Sequence, residues 1–288
     1  DYGKNAKGRI IHVNIEPDEI GKNINSDLNI VDTAENFINS VTPLLNNKEK
    51  KNRDNWWNKI NKWKDKYPFE YQESNYIKTP DIVKTINSNL DKEKKYIFTT
   101  GVGNHQMQTG QYIEWNENIK LITSGSLGVM GVGIPYGIGA KLAEPNSEVI
   151  VIDGDSSSLM SITDLKTIKE NNINIKILIC DNSSQGMVEI WEKLFFENRI
   201  TATKNECNPD FVKLADAFGI KTFECTDKEK LDKTIKEFLN YNNSALLRVK
   251  CINDICLPLI RPGSSLNDML LMDNYKEHIK LDINDCPS

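Results

Sequence analysis

Two side chains set the chemical question: Asp155, just past the apolar run 148–153 (EVIVID), and Asn182, just past the run 175–180 (IKILIC). They stand 27 positions apart, which is strand end, one helix, one strand and strand end again. That spacing would bring a carboxylate and an amide oxygen together at neighbouring strand ends. Both are hard oxygen ligands, too few for an all-protein cage but suited to a Mg²⁺ that completes its octahedron with phosphate oxygens and water. The hydroxyls of Ser156 and Ser157, and the N–H groups that open the next helix, could receive the same phosphates. Singly, each residue also has a structural reading: Asp155 or a serine caps a helix over 158–171, and Asn182 makes a turn.

The elements that must position these groups follow an alternating pattern. Strands are expected at 9–15, 95–100, 119–123, 148–153, 175–180, 220–224 and 245–251, with helical patterns between most of those from Tyr96 onward. Apolar strands alternating with helices predict an α/β fold, a parallel sheet with helices on both faces. Ligands of such sheets gather at the carboxyl ends of strands. There the chain carries GVGNHQM (101–107) and a glycine-rich SGSLGVMGVGIPYGIGA (124–140), whose glycines would let backbone N–H groups approach an anion or let helix and strand pack closely. Nearer the N-terminus, Ala34, Phe37, Ile38, Val41 and Leu45 recur at helical spacing. A charged hinge (NNKEKKNRDN) follows, and Trp56, Trp57, Ile60 and Trp63 mark one face of a connecting helix, expected to cover a domain seam. The domain reading is 1–46, the tail of an α/β unit; 47–77, a linker with a connecting helix; and 78–288, the site-bearing domain.

Composition narrows the function classes. The net charge of −5 offers no field for nucleic acid, and the Lys-rich patches are interleaved with acids and Asn. No apolar run approaches the roughly 18 residues of a membrane span. The six cysteines form no C-x-x-C pair, which predicts reduced structural thiols and an intracellular setting, cytoplasm or organelle.

Together the segments TTGVGNHQM, TSGSLGVMGVGIPYGIGA, VIDGDSSSLM, QGMVEIWEKLFFENR, NPDFVKLADAFG and LPLIRPGSSLNDML resemble the catalytic large subunit of acetolactate synthase, a thiamine-diphosphate-dependent family. The resemblance runs from Arg9 through almost the whole chain. It implies a thiamine-diphosphate-binding fold that joins decarboxylated pyruvate to a second 2-keto acid, pyruvate or 2-ketobutyrate, at the start of branched-chain amino-acid synthesis. Asp155 and Asn182 would bind Mg²⁺ by side chain and Ser184 by its carbonyl. Val102, Gly103, Asn104, His105, Gly154, Ser156, Ser157, Gln185 and Gly186 would line the diphosphate. Met130 would support the thiazolium ring, Gly128 would neighbour the aminopyrimidine, and Met187 and Val188 would flank the cofactor. Trp191 would line the pocket for the second keto acid. A homodimer, a regulatory small subunit, and FAD in the complete protein are implied, with 1–46 as the tail of a Rossmann-like, FAD-binding middle domain whose Asn14, Ile15 and Asp32 face the flavin.

Three positions depart from the family's pattern: Asp181 and Asn104 stand where it has Asn and Gln, and Ser126 where it has a second glycine. The acid–base glutamate of the family belongs to an N-terminal domain, so the chain reads as a fragment of uncertain activity. The alternatives are another thiamine-diphosphate decarboxylase or carboligase and a non-catalytic remnant of the fold. A nucleotide-binding Rossmann domain ranks last, because Gln106 stands where the third glycine of its fingerprint should be.

Overall fold

The computed structural model describes residues 8–45 and 51–272. Hinge residues 46–50 and Cys286 lie outside the described residues. Contacts divide the chain into two units, 1–66 and 67–288.

In the first unit β1 (Ile11–Asn14) pairs in parallel with β2 (Leu28–Val31), and α1 (Ala34–Leu45) and α2 (Asp54–Lys66) follow. The second strand is not among the strands expected from the sequence. Its four residues, LNIV, are too few for a periodic signal, and the pairing with β1 defines it. Trp56, Trp57 and Trp63 are about half exposed, and Lys59 lies 4.9 Å from the centre of the Trp63 ring.

In the second unit, among the described residues, six parallel strands form a sheet in the order β4-β3-β5-β6-β8-β7. They are β3 (Tyr96–Thr100), β4 (Ile119–Ile122), β5 (Glu148–Gly154), β6 (Lys176–Asp181), β7 (Lys221–Cys225) and β8 (Ala245–Lys250). Each lies within about two residues of its sequence expectation. The inner strands β3, β5 and β6 are buried almost throughout, as covering both faces demands.

Side chains alternate across this sheet. On one face Ile150, Ile152, Leu178 and Leu247 pack with α3 (Thr79–Ser88) and α10 (Leu231–Asn240). On the other, Val149, Val151, Ile177 and Leu246 pack with α5 (Gly133–Ala143), α7 (Leu165–Glu170) and α9 (Phe211–Ala217). The remaining helices, α4 (Asn104–Tyr112), α6 (Asp155–Leu159) and α8 (Gly186–Phe195), start at strand ends.

The helix expected over 158–171 is corrected by the structure. It begins three residues earlier at Asp155, stops at Leu159, and resumes through a 3-10 turn (Ile162–Asp164) into α7. Ser161, at φ −132°, makes the break, which lets Ile162, Leu165 and Ile168 all bury against the sheet. Neither Asp155 nor a serine caps this helix, since its N-cap is Gly154.

Candidate functional site

Strand order reverses around β3, whose neighbours β4 and β5 both follow it in sequence, so a crevice opens at the carboxyl ends of β3 and β5. α4, α6 and α8 all begin along this crevice behind Gly103, Gly154 and Gln185, without a side-chain cap on any first turn. Uncapped helix starts leave N–H donors free for an anion.

A cleft of roughly 580 Å³, counting the space open to solvent, lies here. Its walls bring together Val102, Gly103, Asn104 and His105 after β3, and Gly154, Asp155, Ser156 and Ser157 after β5. Asn182, Ser184, Gln185, Gly186, Met187 and Val188 after β6 complete them, with Met130 from the glycine-rich loop. Thr79 and Cys180, which carried no expectation as site residues, also line it. Gly128 and Trp191 are not among the lining residues. Gly128 sits in its loop at φ +63°, and Trp191 packs edge-on against Phe195 at 5.8 Å.

Asp155 is 1% exposed. Its Oδ2 accepts from Asn205 Nδ2 (2.9 Å) and Asn208 Nδ2 (2.7 Å). Burial raises its pKa, the Asn208 and Asn205 amides oppose the rise, and Asp181 adds to it. The hydroxyls are engaged as acceptors: Ser156 Oγ takes Asn205 Nδ2 (2.6 Å) and Ser157 Oγ takes the Gly131 N–H (3.0 Å). Each keeps its own hydrogen to donate. Ser158 Oγ turns back to the Asp155 carbonyl.

Asn182 Oδ1 accepts the Ser184 N–H (3.1 Å), with Ser183 at φ +53° shaping the turn. Asn253, which no sequence pattern marks, ties the walls together. Its Oδ1 accepts from Asn104 (3.0 Å) and Asn182 (3.4 Å), and its Nδ2 donates to the Gly186 carbonyl (3.0 Å) and Glu189 (3.2 Å). A Cβ at Gly186 would crowd these amides, standing 2.5 Å from Asn253 Oδ1 and 2.7 Å from Asn182 Nδ2. Glu189 is buried and accepts from Ser184 Oγ. Burial pushes its carboxyl up, but Lys193 at 2.8 Å, Ser184 and Asn253 together bring it below the usual range.

Asp181 leaves the cleft. Cys180 points to the α3 face and lines the cleft, so alternation sends Asp181 to the opposite face. There Arg248 grips it through Nε (2.8 Å) and Nη2 (2.6 Å) and also reaches Glu224 (2.6 Å). Burial alone would lower the guanidinium's pKa, but the two carboxylates raise it. Asn104 directs its amide to Asn253 and the Asp254 carbonyl, and Ser126 is exposed. The five described cysteines are free. Cys180 has its pKa raised, first by its hydrogen bond with Cys251 and then by burial.

Among the described residues no three His, Cys, Asp or Glu side chains come together as a metal cluster, and no helix is long and apolar enough to cross a membrane.

Residues 101–249, more than half of the chain, match the thiamine pyrophosphate enzyme C-terminal TPP-binding domain. The chain belongs to the thiamine pyrophosphate enzyme family. It is 38% identical over 274 residues to the mitochondrial acetolactate synthase catalytic subunit of Saccharomyces cerevisiae, covering 93% of this chain and 39% of that protein. It is 36% identical over 275 residues to the acetolactate synthase large subunit of Cyanidium caldarium, 92% of this chain and 46% of that one. It is 35% identical over 290 residues to a probable acetolactate synthase large subunit of Methanococcus aeolicus, 96% and 48% respectively. The chain thus spans less than half the length of these relatives.

Proposed function

We propose that this chain forms the thiamine-diphosphate and Mg²⁺ site of an acetolactate synthase catalytic subunit, acting on pyruvate and a second 2-keto acid, pyruvate or 2-ketobutyrate. The observation that carries the reading is Asp155: a buried carboxylate at the cleft wall, answered by two amides and no cation among the described residues. A carboxylate so placed is unfavourable alone and well suited to a bound cation. The donor set fits Mg²⁺ held jointly with a diphosphate: Asp155 and Asn182 side-chain oxygens, the Ser184 carbonyl, and the helix starts at Gly103, Gly154 and Gln185 for the phosphates.

When bound, the cofactor supplies the electron sink for decarboxylation and carbon–carbon bond formation. The chain's own residues bind and orient it. Met130, Met187 and Val188 give the cleft an apolar stretch that excludes water, and Trp191, on α8 beside the cleft, selects the second keto acid. Asn14, Ile15 and Asp32 at the ends of β1 and β2 are proposed to face FAD, and a homodimer with a regulatory subunit is the proposed assembly.

Asp155→Ala tests the site. Calorimetry with Mg²⁺ and thiamine diphosphate should register binding to the wild type and none to the variant. Equal affinity for both would refute the assignment.

A further inference from the structure

Residues 203–205 run antiparallel to residues 183–185 in a short ladder at the cleft wall. The Gln185 N–H donates to the Thr203 carbonyl (2.7 Å), the Asn205 N–H donates to the Ser183 carbonyl (2.8 Å), and Ser184 and Lys204 pair between them. A trans peptide points its C=O and its N–H in opposite directions, and the only cis bond among the described residues is Leu257–Pro258. The bond from the Gln185 N–H therefore turns the Ser184 carbonyl away from the 203–205 segment.

The side chain of Asn205 makes a second attachment. Its Nδ2 donates to Asp155 Oδ2 (2.9 Å) and to Ser156 Oγ (2.6 Å). Asn208 reaches the same Asp155 oxygen, so Oδ1 is left without a side-chain donor among the described residues. Asn205 is thus tied by its backbone to the residue before Ser184 and by its side chain to Asp155. Apolar burial does not explain the seat of this segment. Between 201 and 208 only Thr203 is buried, and its hydroxyl donates to Glu192 (2.7 Å).

We infer that Asn205 is a positioning residue for a divalent cation: the ladder it closes turns the Ser184 carbonyl, and its side chain fixes the Asp155 carboxylate, so that the two donors keep one spacing. This inference deepens the Mg²⁺ reading of the cleft and rests on it. Mg²⁺ demands near-octahedral geometry at short metal–oxygen distances, whereas Ca²⁺ accepts irregular and longer ones. A residue that holds donor spacing therefore matters more to Mg²⁺ than to Ca²⁺.

Asn205→Ala removes the side-chain attachment and keeps the backbone one. Calorimetric titration of Mg²⁺, and separately of Ca²⁺, into the protein with thiamine diphosphate present reads the effect. The variant should bind Mg²⁺ about 10- to 100-fold more weakly, as loss of a partner that orients a metal ligand does. Its Ca²⁺ affinity should fall less, so the Mg²⁺-to-Ca²⁺ ratio drops. Unchanged Mg²⁺ affinity would overturn the inference alone, and so would equal losses for both cations, the pattern of a merely structural defect. Absence of Mg²⁺ binding to the wild type would overturn the cleft reading and this inference with it. If Asn205→Ala fails to fold, amide hydrogen exchange of the wild type decides. Reciprocity requires the cation to strengthen the ladder that positions its ligands, so Mg²⁺ with thiamine diphosphate should slow exchange at Gln185 and Asn205 more than along β7. Equal slowing at both places would overturn it.

Discussion

Asp155 and Asp181 stand one strand apart at the ends of β5 and β6, each 1% exposed, and Asn208 donates to both, at 2.7 Å and 3.0 Å. Their remaining partners differ in kind. Asp181 has the Arg248 guanidinium on two nitrogens, and Lys250 3.9 Å away. Among the described residues Asp155 has a second amide, Asn205, and the Ser156 N–H, but no cation. One charge is closed by the protein itself, and the other is left for something that binds. A charge adequate for folding makes a structural residue of the first, and a deficit of charge makes a candidate metal ligand of the second.

The largest effect should come from opening the closed charge. Arg248→Met leaves Asp181 buried without its guanidinium and should cost about 3 kcal/mol or more, read as the urea midpoint by far-UV circular dichroism. An unchanged midpoint would place the two aspartates in the same class. Asn208→Leu withdraws a donor from both carboxylates and should cost about 2 kcal/mol, with the loss shrinking when Asp155 is already Asn. Additive losses in that double variant would show that Asn208 serves Asp181 alone. Asp155→Asn by itself should leave the metal-free protein as stable as wild type or up to about 1 kcal/mol more so, since it removes a charge that no cation answers. A loss comparable to that of Arg248→Met would contradict the division.

How much of this was legible follows from range. Asp155 and Asn182 could be read because strand, helix and strand fix their separation locally. The loops after β3, β5 and β6 converge because a parallel sheet sends every strand end to one edge. Asn205, Asn208 and Asn253 were not legible. They arrive from loops 50, 53 and 71 positions from the residues they hold, in a chain where Asn is common and unpatterned. The setting of Asp153 was hidden for another reason: the sequence shows glycines at 101 and 133, but not that a Cβ at either would meet the Asp153 carboxylate. Asp181 is next to Asn182 in the sequence, yet alternation turns it to the other face, where Arg248 holds it. In residues 8–66 the apolar pattern located β1 and α1, yet no described residue there is buried, so burial could not be inferred from pattern alone.

The smallest effect concerns a charge of the opposite sign, at the other end of β6. Lys176 is 5% exposed, and among the described residues its Nζ donates to the Asn243 carbonyl (2.7 Å) and Asn174 Oδ1 (3.2 Å). Like Asp155 it is answered by neutral dipoles, and burial pushes its pKa down to about 8, with Glu148 opposing. The folded value lies below the ordinary 10.5, so between these values the unfolded chain binds more protons than the folded one. Stability from this group therefore rises with pH across that window, and its penalty is fully present at neutral pH. Urea midpoints of wild type and Lys176→Met at pH 7.5 and pH 10 should diverge, the wild type gaining about 1 kcal/mol relative to the variant. Taking the difference cancels the other lysines and tyrosines that titrate over the same range. Parallel profiles would mean that the Asn243 carbonyl and Asn174 suffice for the ammonium. Neutral partners would then be enough for a buried charge in this sheet, and the contrast between Asp155 and Asp181 would lose its force.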